Sequence, residues 1–303
     1  MKIILTGASG FVGMNLSSYL QNSNFDTHNV SLRNNDWKSY FTENADAIIH
    51  LAGKAHDTSN ASNPQDYFTI NRDLTIQVFD QFLSSEIKNF FYFSSVKAVA
   101  DTVNGVLTED VLANPLTPYG KSKLEAEKYL MSKELPTGKR FFIIRPCMIH
   151  GPGNKGNLNL LFNIVKKGIP WPLGSFNNQR SFLSIGNLCF LIERMLKDES
   201  LKSGIYNFSD DKALSTNELV SLISRKLNKN PKVWKISKIL ITKIAKLGDT
   251  MSLPLNSERL KKLTESYVVS NEKIKRELRL DKLPVSVEEG LEITIQSFNT
   301  GIK

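Results

Sequence analysis

The sequence predicts an α/β fold whose central parallel sheet has helices on both faces. Short apolar runs alternate with stretches of helical periodicity through the first half of the chain, as in successive βαβ units. Two of these runs, Ala47–Leu51 and Asn89–Phe93, show no polar alternation, which is typical of strands buried on both faces. The first run ends in a glycine-rich turn at the start of a helix, as expected where a parallel strand passes into its crossover helix.

Each strand is predicted from a short apolar run bounded by polar or turn-forming residues. In chain order the predicted strands are Lys2–Leu5, His28–Leu32, Ala47–Leu51, Asn89–Phe93, Arg140–Arg145 and Gly204–Phe208. Each helix is predicted from apolar residues that recur at helical spacing. The predicted helices are Phe11–Gln21, Pro64–Ser85, one that starts near Tyr119, Leu158–Lys167, Ile185–Lys197 and Thr216–Asn228, the last with Thr216 as its N-cap.

Length and composition exclude several classes of protein. The 303 residues allow roughly two domains, and 41% hydrophobic with 23% charged residues is typical of globular chains. No apolar run approaches the roughly 18 residues of a membrane span, and the short apolar start before Thr6 is not a signal peptide. We therefore expect a cytoplasmic protein. Cys147 and Cys189 are too few for a disulfide framework or a cysteine-rich zinc site, and no metal is expected.

Gly7, Gly10 and Gly13 form G-x-x-G-x-x-G between the first strand and the helix that Phe11 and Val12 begin. Glycines at such a turn let the backbone approach a pyrophosphate, and the free N–H groups of the helix start bind the anion. A tight turn that needs glycine for its backbone alone is the other interpretation. The setting between a strand and an amphipathic helix favours dinucleotide binding by a Rossmann-type fold, so all five residues are predicted to contact the cofactor.

A second glycine motif, Gly151, Gly153 and Gly156, matches G-x-G-x-x-G literally. Five residues separate it from the strand that ends at Arg145, Pro152 interrupts the turn, and the pattern of a further βαβ unit does not follow. Because the motif lacks the setting of a dinucleotide turn, we interpret it as a pocket loop.

The residues after the second strand bear on the choice of dinucleotide. An acidic side chain there accepts the ribose hydroxyls of NAD, whereas an arginine suits the 2′-phosphate of NADP. This chain has Ser31 and Arg33, and the first acid is Asp36, which we place near the adenine. NADP(H) is therefore favoured and NAD(H) stays open, as does the interpretation of Arg33 as a solvated surface charge.

Tyr119 and Lys123 lie at i and i+4 of a predicted helix, which puts a phenol and an ammonium on one face. A nearby cation lowers the pKa of a tyrosine, and such a tyrosine exchanges protons with a substrate hydroxyl or carbonyl. Tyr129 and Lys133 have the same spacing and are interpreted as a surface pair. Tyr119 is favoured because Ser95 stands just beyond the carboxyl end of a predicted strand, where ligands bind in parallel sheets.

These residues belong to a longer series of ordered motifs. The series is TGASGFVG at Thr6–Gly13, HLAG at His50–Gly53, Asn71, FSS at Phe93–Ser95, YGKSK at Tyr119–Lys123, RPCMIHGPG at Arg145–Gly153, RSFLSIGNL at Arg180–Leu188, YNFSD at Tyr206–Asp210 and PVSVEEGL at Pro284–Leu291. Together they resemble the extended short-chain dehydrogenases/reductases, the nucleotide-sugar epimerase, dehydratase and reductase family. The resemblance implies a Rossmann-type doubly wound parallel sheet with a smaller C-terminal α/β substrate-binding region.

The resemblance also implies roles for individual residues. Tyr119 would be the acid and base, Ser95 would hydrogen-bond the reacting oxygen, and Lys123 would bind the nicotinamide ribose and lower the pKa of Tyr119. Further cofactor contacts would come from Leu51, Ala52, Gly53, Asn71, Pro146, Cys147 and Met148. Residues 1–150 would form the dinucleotide-binding domain, to which 184–205 returns, and 151–183 with 206–303 would bind the nucleotide sugar.

Departures from the family pattern reduce the number of candidate reactions. Dehydratases carry an Asp-Glu pair directly after the active-site hydroxyl residue, where this chain has Val96 and Lys97. Four-epimerases usually have an acid after the second strand, and an asparagine where this chain has Met148. The chain looks closest to reductases that act on the 4-keto group of a UDP-4-keto-6-deoxy-N-acetylhexosamine, with UDP-hexose 4-epimerase as the alternative.

The second half is expected to bind this UDP-sugar. Arg180 is the candidate for the diphosphate, with Arg259 as a second, because a guanidinium grips phosphate through paired hydrogen bonds. Lys97 and His56 are candidates for the hexose. An ordinary exposed charge is the alternative for each of the four, and His50, which ends a buried strand, is interpreted as structural.

Positive charge is concentrated late in the chain. Between Arg225 and Lys282 there are 16 Lys and Arg against 6 Asp and Glu, whereas the whole chain carries +9. Such charge attracts phosphates of a nucleic acid, an anionic membrane or a small ligand. The segment Trp234–Leu247 has the pattern of a basic amphipathic helix, which either lies on an anionic bilayer or, as we favour, packs on its own domain.

Two expectations concern partners. No nucleic-acid partner is expected, because a basic amphipathic helix more often packs on its own domain. A catalytically inactive nucleotide sensor is disfavoured because Ser95, Tyr119 and Lys123 are all in place. The helices Pro64–Ser85 and Tyr119–Glu134 carry more apolar residues than one face needs, and relatives commonly dimerise through this helix pair. A homodimer is therefore expected.

Overall fold

The computed structural model describes residues 1–34, 36–42, 44–54, 63–154, 157–251 and 256–300. The strands are β1 Lys2–Thr6, β2 Asp26–Val30, β3 Ala47–His50, β4 Asn89–Phe93, β5 Val106–Leu107, β6 Arg140–Pro146, β7 Met148–His150, β8 Phe182–Ser184, β9 Gly204–Phe208 and β10 Val268–Val269. Within these ranges the central sheet has six parallel strands in the order β2-β1-β3-β4-β6-β9, and β5 pairs with β10 and β7 with β8.

The helices connect and cover these strands. They are α1 Phe11–Asn22, α2 Pro64–Tyr67, α3 Leu74–Leu83, α4 Pro118–Met131, α5 Asn157–Lys166, α6 Ile185–Lys197, α7 Thr216–Lys226, α8 Lys238–Met251, α9 Ser257–Thr264, α10 Glu272–Glu277 and α11 Val287–Thr300. Short 3-10 helices occupy Trp37–Thr42 and Val96–Ala98, and a π-helix joins α2 to α3 at Phe68–Asp73.

Side chains of the sheet alternate between two hydrophobic cores, because successive residues of a strand point to opposite faces. Ile3 and Leu5 of β1 enter the core that contains buried residues of α1 and α6. Ile4 enters the other core, together with Phe79 of α3 and Leu130 of α4. Helices therefore cover both faces of a parallel sheet, and the predicted doubly wound α/β fold is confirmed.

The direction of winding reverses at β1. This strand pairs with β2 on one side and β3 on the other, with Thr6 level with both Val30 and His50. In open α/β sheets, ligands bind outside the carboxyl ends of the strands at such a switch point. The glycine-rich turn after β1 and the residues after β3 therefore border one crevice.

A third core lies in the C-terminal half. It joins α5, α7, α8, α9 and α11 through side chains that include Trp171, Leu222, Ile241 and Leu291. The predicted boundary between 205 and 206 falls inside β9, the last strand of the central sheet. The division into a dinucleotide region and a sugar region stays a prediction.

Two elements of the first half differ from their predicted bounds. β2 ends at Val30 rather than Leu32, so Ser31 is already in the turn after the strand. The helix predicted over Pro64–Ser85 is interrupted by the π-helix Phe68–Asp73. Helical periodicity alone does not distinguish an α turn from a π turn, and π turns are frequent at functional sites.

The N-cap of α7 is Ser215 rather than Thr216. Ser215 Oγ accepts the Glu218 N–H at 3.1 Å, and the Glu218 carboxylate accepts the Ser215 N–H at 2.7 Å. With the cap one residue earlier, the glutamate stands three residues on and completes a capping box.

The basic helix begins four residues later than its sequence pattern, at Lys238, and buries Ile241, Ala245 and Gly248. Leu240, Ile244 and Leu247, part of the apolar face expected to pack on the domain, are exposed instead. The helix does pack on its own domain, as favoured, but it does so through a different face. Among the residues described, no helix has the length and apolar content needed to cross a membrane.

Candidate active site

The glycine-rich turn packs against the chain that follows β3. Gly7 has a φ of 74°, and a Cβ on it would lie 2.5 Å from the backbone nitrogen of Ala52. Gly10 is the N-cap of α1 and has no side chain to cap the helix. No acidic residue lies in the described first turn, which includes Phe11, Val12 and Gly13. Because the first N–H groups of an α-helix lack intrahelical partners, this uncapped start fits the diphosphate of a dinucleotide.

A buried histidine fixes the chain after β3. His50 Nδ1 lies 2.7 Å from Thr6 Oγ1, and its Nε2 lies 3.0 Å from Thr75 Oγ1. Burial lowers the pKa of His50 to about 3, and the charge of Lys123 acts in the same direction. His50 is therefore neutral at physiological pH and structural, as predicted. Since Thr6 Oγ1 also accepts the Ala52 N–H at 3.4 Å, the network holds the segment after β3 against the glycine turn.

Ser95, Tyr119 and Lys123 come together at the carboxyl end of β4. Ser95 follows the strand, and its Oγ accepts the Lys97 N–H at 3.2 Å. Tyr119 lies in the first turn of α4, is half-buried and is hydrogen-bonded to Ser95. Lys123, one turn later, donates from Nζ to the Phe93 carbonyl at 2.8 Å. A hydroxyl, a phenol and an ammonium thus lie beside one strand end.

Burial governs the protonation of both titratable groups. It raises the pKa of Tyr119, and the hydrogen bond with Ser95 opposes that rise only in part. Lys123 was expected to lower the pKa of Tyr119. The pKa is raised instead, because the phenol is withdrawn from water and the Lys123 ammonium is bound to the Phe93 carbonyl. Burial lowers the pKa of Lys123 to about 8, against the opposing effect of Glu127. At neutral pH the phenol therefore keeps its proton.

Asn71 connects the crevice to α4. Its side chain is fully buried in the π-helix, accepts the Lys54 N–H at 2.7 Å and donates to Ser122 Oγ at 3.3 Å. A Cβ on Gly53 would lie 2.9 Å from Asn71 Oδ1 and 3.2 Å from Lys123 Nζ. The structure thus brings Gly53, Asn71 and Lys123 together, and adds Lys54 and Ser122, which sequence reasoning did not single out.

A buried ion pair beneath the site also escaped sequence reasoning. Arg145 of β6 binds the Glu127 carboxylate through Nε and Nη2, with Nη2 2.5 Å from Oε2. Ser94 donates a hydrogen bond to the same carboxylate. Glu127 lies four residues after Lys123 in α4, and its charge partly offsets the lowering of the Lys123 pKa by burial. The i, i+4 spacing could have indicated that Glu127 lies on the same side of α4 as Lys123. The sequence offers no such spacing for Arg145, because it lies on another element.

The predicted residues after β2 are exposed. Ser31, Arg33 and Asp36 lie in the turns between β2 and the 3-10 helix Trp37–Thr42. An exposed arginine at this strand end can reach an anionic group on a dinucleotide in the crevice beside β1. The individual contacts of the three residues stay predictions.

The chain after β6 also borders the crevice. Pro146 ends the strand, the Cys147 N–H donates to the Phe208 carbonyl at 3.0 Å, and Met148 begins β7. Burial raises the pKa of the Cys147 thiol, so it is not a nucleophile at neutral pH. A Cβ on Gly151 would lie 3.3 Å from the Phe11 ring, which places this loop beside the start of α1.

Lys97, Arg180 and Tyr267 form a polar group beyond Ser95. Lys97 Nζ lies 4.3 Å from the centre of the Tyr267 ring, and burial lowers its pKa, with Arg180 adding to the effect. The Arg180 guanidinium donates to the carbonyls of Lys262 and Glu265 at the end of α9. The predicted diphosphate ligand is therefore tied to α9, and its role toward a substrate stays a prediction.

The remaining predicted substrate residues are exposed or lie outside the described residues. Arg259 is exposed on α9, His56 and Gly156 lie outside the described residues, and the substrate roles of Arg259 and His56 stay predictions. Tyr129 and Lys133 form a surface pair, with Lys133 Nζ 4.5 Å from the ring centre. Across the part of the chain that the structure describes, no cluster of three or more His, Cys, Asp or Glu side chains could hold a metal ion.

Comparison with known proteins identifies relatives. The model of the NAD dependent epimerase/dehydratase family matches residues 3–208. The UDP-glucose 4-epimerase of Vibrio cholerae is 31% identical, over 98% of this chain and 95% of its own. The GDP-6-deoxy-D-mannose reductase of Pseudomonas aeruginosa is 25% identical, over 74% of this chain and 79% of its own.

A solved structure shares the fold along the whole chain. MoeE5 in complex with UDP-glucose and NAD superimposes with a TM-score of 0.78 at 19% sequence identity and covers 100% of both chains. The family model alone spans more than half of the sequence. The protein is therefore an enzyme of the NAD dependent epimerase/dehydratase family, within the extended short-chain dehydrogenases/reductases.

Proposed function

We propose that the enzyme catalyses hydride transfer at C4 of a UDP-sugar while Tyr119 exchanges a proton with the C4 oxygen. The observation that carries this proposal is the hydrogen bond between the half-buried Tyr119 and the buried Ser95 at the carboxyl end of β4. Ligands of parallel sheets bind at this edge, and the glycine turn after β1 opens onto the same edge. A sugar oxygen between the two hydroxyls would be within reach of a proton donor and a hydrogen-bond donor.

Tyr119 acts as the acid in the direction of reduction. Burial keeps its phenol protonated at neutral pH, which suits donation to a carbonyl oxygen that gains negative charge. Ser95 hydrogen-bonds that oxygen and stabilises the phenolate that remains. Lys123, which is charged below a pKa of about 8, places positive charge near the crevice and favours the same anion.

The cofactor residues orient a nicotinamide dinucleotide, which supplies or accepts the hydride when bound. The turn from Gly7 to Gly13 binds the diphosphate through backbone N–H groups, and the segment Leu51–Gly53 lines the crevice. Asn71 fixes that segment through Lys54, and Lys123 binds the ribose. Arg33 and Ser31 bind the 2′-phosphate of NADP(H), which makes NADP(H) the favoured cofactor.

Reduction of a UDP-4-keto-6-deoxy-N-acetylhexosamine is the first candidate reaction. The exposed Arg33 after β2 favours NADPH, and a reductase must take up a reduced cofactor at each turnover. Val96 and Lys97 occupy the positions of the acid–base pair of dehydratases, so loss of water from the sugar is disfavoured. Arg180 and Arg259 would bind the UDP diphosphate, and Lys97 and His56 the hexose.

Epimerisation of a UDP-hexose at C4 is the second candidate. The likeness to the UDP-glucose 4-epimerase of Vibrio cholerae along almost the full length of both chains favours it. This reaction needs Tyr119 first as the phenolate, to remove the proton of the 4-hydroxyl, and then as the resulting phenol, to return a proton to the 4-keto oxygen, and it consumes no reductant. Tyr119 and Ser95 therefore serve either reaction without rearrangement.

Anaerobic mixing of the enzyme with NADPH and UDP-4-keto-6-deoxy-N-acetylglucosamine separates the two candidates. Loss of the reduced-nicotinamide absorbance, with formation of the 4-hydroxy sugar, supports the reductase. Interconversion of UDP-glucose and UDP-galactose without net oxidation of a cofactor supports the epimerase. An enzyme that binds a dinucleotide yet turns over neither sugar would contradict the proposal.

A further inference from the structure

An apolar stripe runs along the exposed side of α8. Leu240, Ile244, Leu247 and Met251 follow one another at helical spacing, and each side chain is between 42 and 60% exposed. An adjacent side of the helix buries Ile241 and Ala245 in the C-terminal core, and Gly248 is buried on that same side. The helix is therefore anchored by one face and offers a second apolar face to the outside.

The stripe continues into neighbouring exposed residues. Trp234, just before the helix, is 56% exposed and Ile239 in the first turn is 70% exposed. Among the described residues, six of the 17 large hydrophobic side chains that are exposed lie between 234 and 251. Apolar side chains concentrated on one surface indicate a binding site rather than the scattered exposure that is normal for proteins.

Lysines surround the stripe. Lys232, Lys235, Lys238, Lys243 and Lys246 are all exposed on this segment. The one acidic residue between 232 and 251 is Asp249, whose carboxylate accepts hydrogen bonds from the backbone N–H and the hydroxyl of Ser257. The charge around the apolar stripe is therefore strongly positive, and its complement is an anionic surface.

We propose that α8, with Trp234, docks the enzyme onto an anionic phospholipid surface. Leu240, Ile244 and Leu247 enter the boundary between headgroups and acyl chains, and the lysines contact lipid phosphates. A tryptophan beside such a helix suits the same boundary, because its ring is apolar and its N–H is polar. This inference rests on the exposed surface of α8 and stands apart from the proposed reaction.

Polar contacts link α8 to α9 and to Arg180. Asp249 of α8 is bound to Ser257 at the start of α9, and the far end of α9 receives hydrogen bonds from Arg180. Arg180 belongs to the polar group beyond Ser95. The docking helix is therefore connected through α9 to the polar group of Lys97, Arg180 and Tyr267.

Vesicle co-sedimentation of the full chain tests the proposal. We expect the protein to pellet with phosphatidylglycerol-containing vesicles at low ionic strength, and to stay in the supernatant with phosphatidylcholine alone. Leu240→Ser with Leu247→Ser, and separately Lys243→Glu with Lys246→Glu, should each weaken binding by about tenfold or more. The lysine variants alter exposed side chains only, so they keep the test valid if the leucine variants fold poorly.

Matched controls change the same chemistry elsewhere. Leu112→Ser with Leu160→Ser removes two exposed leucines, and Lys202→Glu with Lys282→Glu reverses two exposed lysines. Both controls should bind anionic vesicles like the wild type. Failure of the wild type to pellet, or equal losses in the controls, would overturn the proposal.

A second copy of the chain is the competing occupant of the stripe. Analytical ultracentrifugation without vesicles would then show a dimer that Leu240→Ser with Leu247→Ser dissociates, and this outcome would also overturn membrane docking. The pelleting measurement needs no sugar substrate. A failed docking proposal therefore leaves the proposed reaction intact, and the converse holds as well.

Discussion

Tyr119 and Tyr129 each begin a tyrosine–lysine pair at i and i+4, but their surroundings differ. Tyr119 is hydrogen-bonded to the buried Ser95, whereas Tyr129 donates a hydrogen bond to the exposed Asp80. We expect Tyr119→Phe to lower kcat by about 100-fold or more, because the proton donor is lost, with dinucleotide affinity nearly unchanged.

The matched control for this substitution is Tyr129→Phe. It removes a phenol from the same helix and from the same sequence spacing, and it should leave kcat within about twofold. The measurements are kcat with the active sugar substrate and dinucleotide affinity by fluorescence titration. A Tyr119→Phe enzyme that keeps the wild-type rate would exclude the phenol from proton transfer.

His50 makes stability depend on pH. Its folded pKa of about 3 lies below the ordinary histidine value of 6.5, so the unfolded chain binds more protons between these values. The stabilising contribution is complete above pH 6.5 and is lost as the pH falls toward 3. Between pH 7 and about pH 4.5 this one residue should cost roughly 2–3 kcal/mol of unfolding free energy.

His50→Gln tests that dependence, because glutamine does not titrate. Urea unfolding at both pH values gives the loss of unfolding free energy for each protein. The variant should be less stable than the wild type at both pH values. The unfolding free energy that it loses between pH 7 and about pH 4.5 should, however, be smaller than the loss of the wild type by roughly 2–3 kcal/mol. Equal losses in the two proteins would show that His50 is not the source.

Close packing of α4 against the 3-10 helix Val96–Ala98 places Tyr119 beside Ser95. A Cβ on Gly120 would overlap the Lys97 carbonyl oxygen and lie 2.8 Å from Pro115 Cβ. Gly120→Ala should therefore push the first turn of α4 away from the turn after β4. We expect kcat to fall about 10- to 100-fold, because the phenol is displaced from the reacting oxygen.

Gly186→Ala is the matched control, because it replaces a glycine in another helix, α6. Its Cβ would lie 3.6 Å from Val285, an ordinary contact, and alanine is the better helix former. Activity should be unchanged, and the urea midpoint unchanged or raised. If both glycine variants kept full activity, close approach of α4 would not be what positions Tyr119.

Local sequence signals predicted most elements, but not their junctions. The strands were predictable because buried parallel strands are continuous apolar runs, and β4 and β9 have their predicted bounds. The π-helix at Phe68–Asp73 was not, because one extra residue in a turn leaves the apolar spacing nearly unchanged. The inward face of α8 was also missed, since the helix has two apolar sides and packing chooses between them.

At the scale of the whole molecule, the site was predictable where its residues follow strands directly. Gly7, Leu51 and Ser95 come from separate segments, yet a parallel sheet brings all strand ends to one edge. The partners that depend on tertiary packing were not predictable. Arg145 meets Glu127 across two elements, and Arg180 is bound by a helix more than 80 residues away in sequence.

A buried carboxylate joins the central sheet to the C-terminal half. Asp210, two residues after β9, accepts the Ser184 N–H at 3.1 Å and the Asn187 side-chain amide at 2.7 Å, and Asn187 also donates to the Val285 carbonyl. Asp210→Asn brings a second amide against these donors, so we expect a loss of about 1–3 kcal/mol in unfolding free energy. Urea unfolding followed by circular dichroism measures it, with the exposed Asp26→Asn as the control that should change stability by less than about 0.5 kcal/mol. Equal stability of the two variants would mean that this junction is held by apolar packing instead.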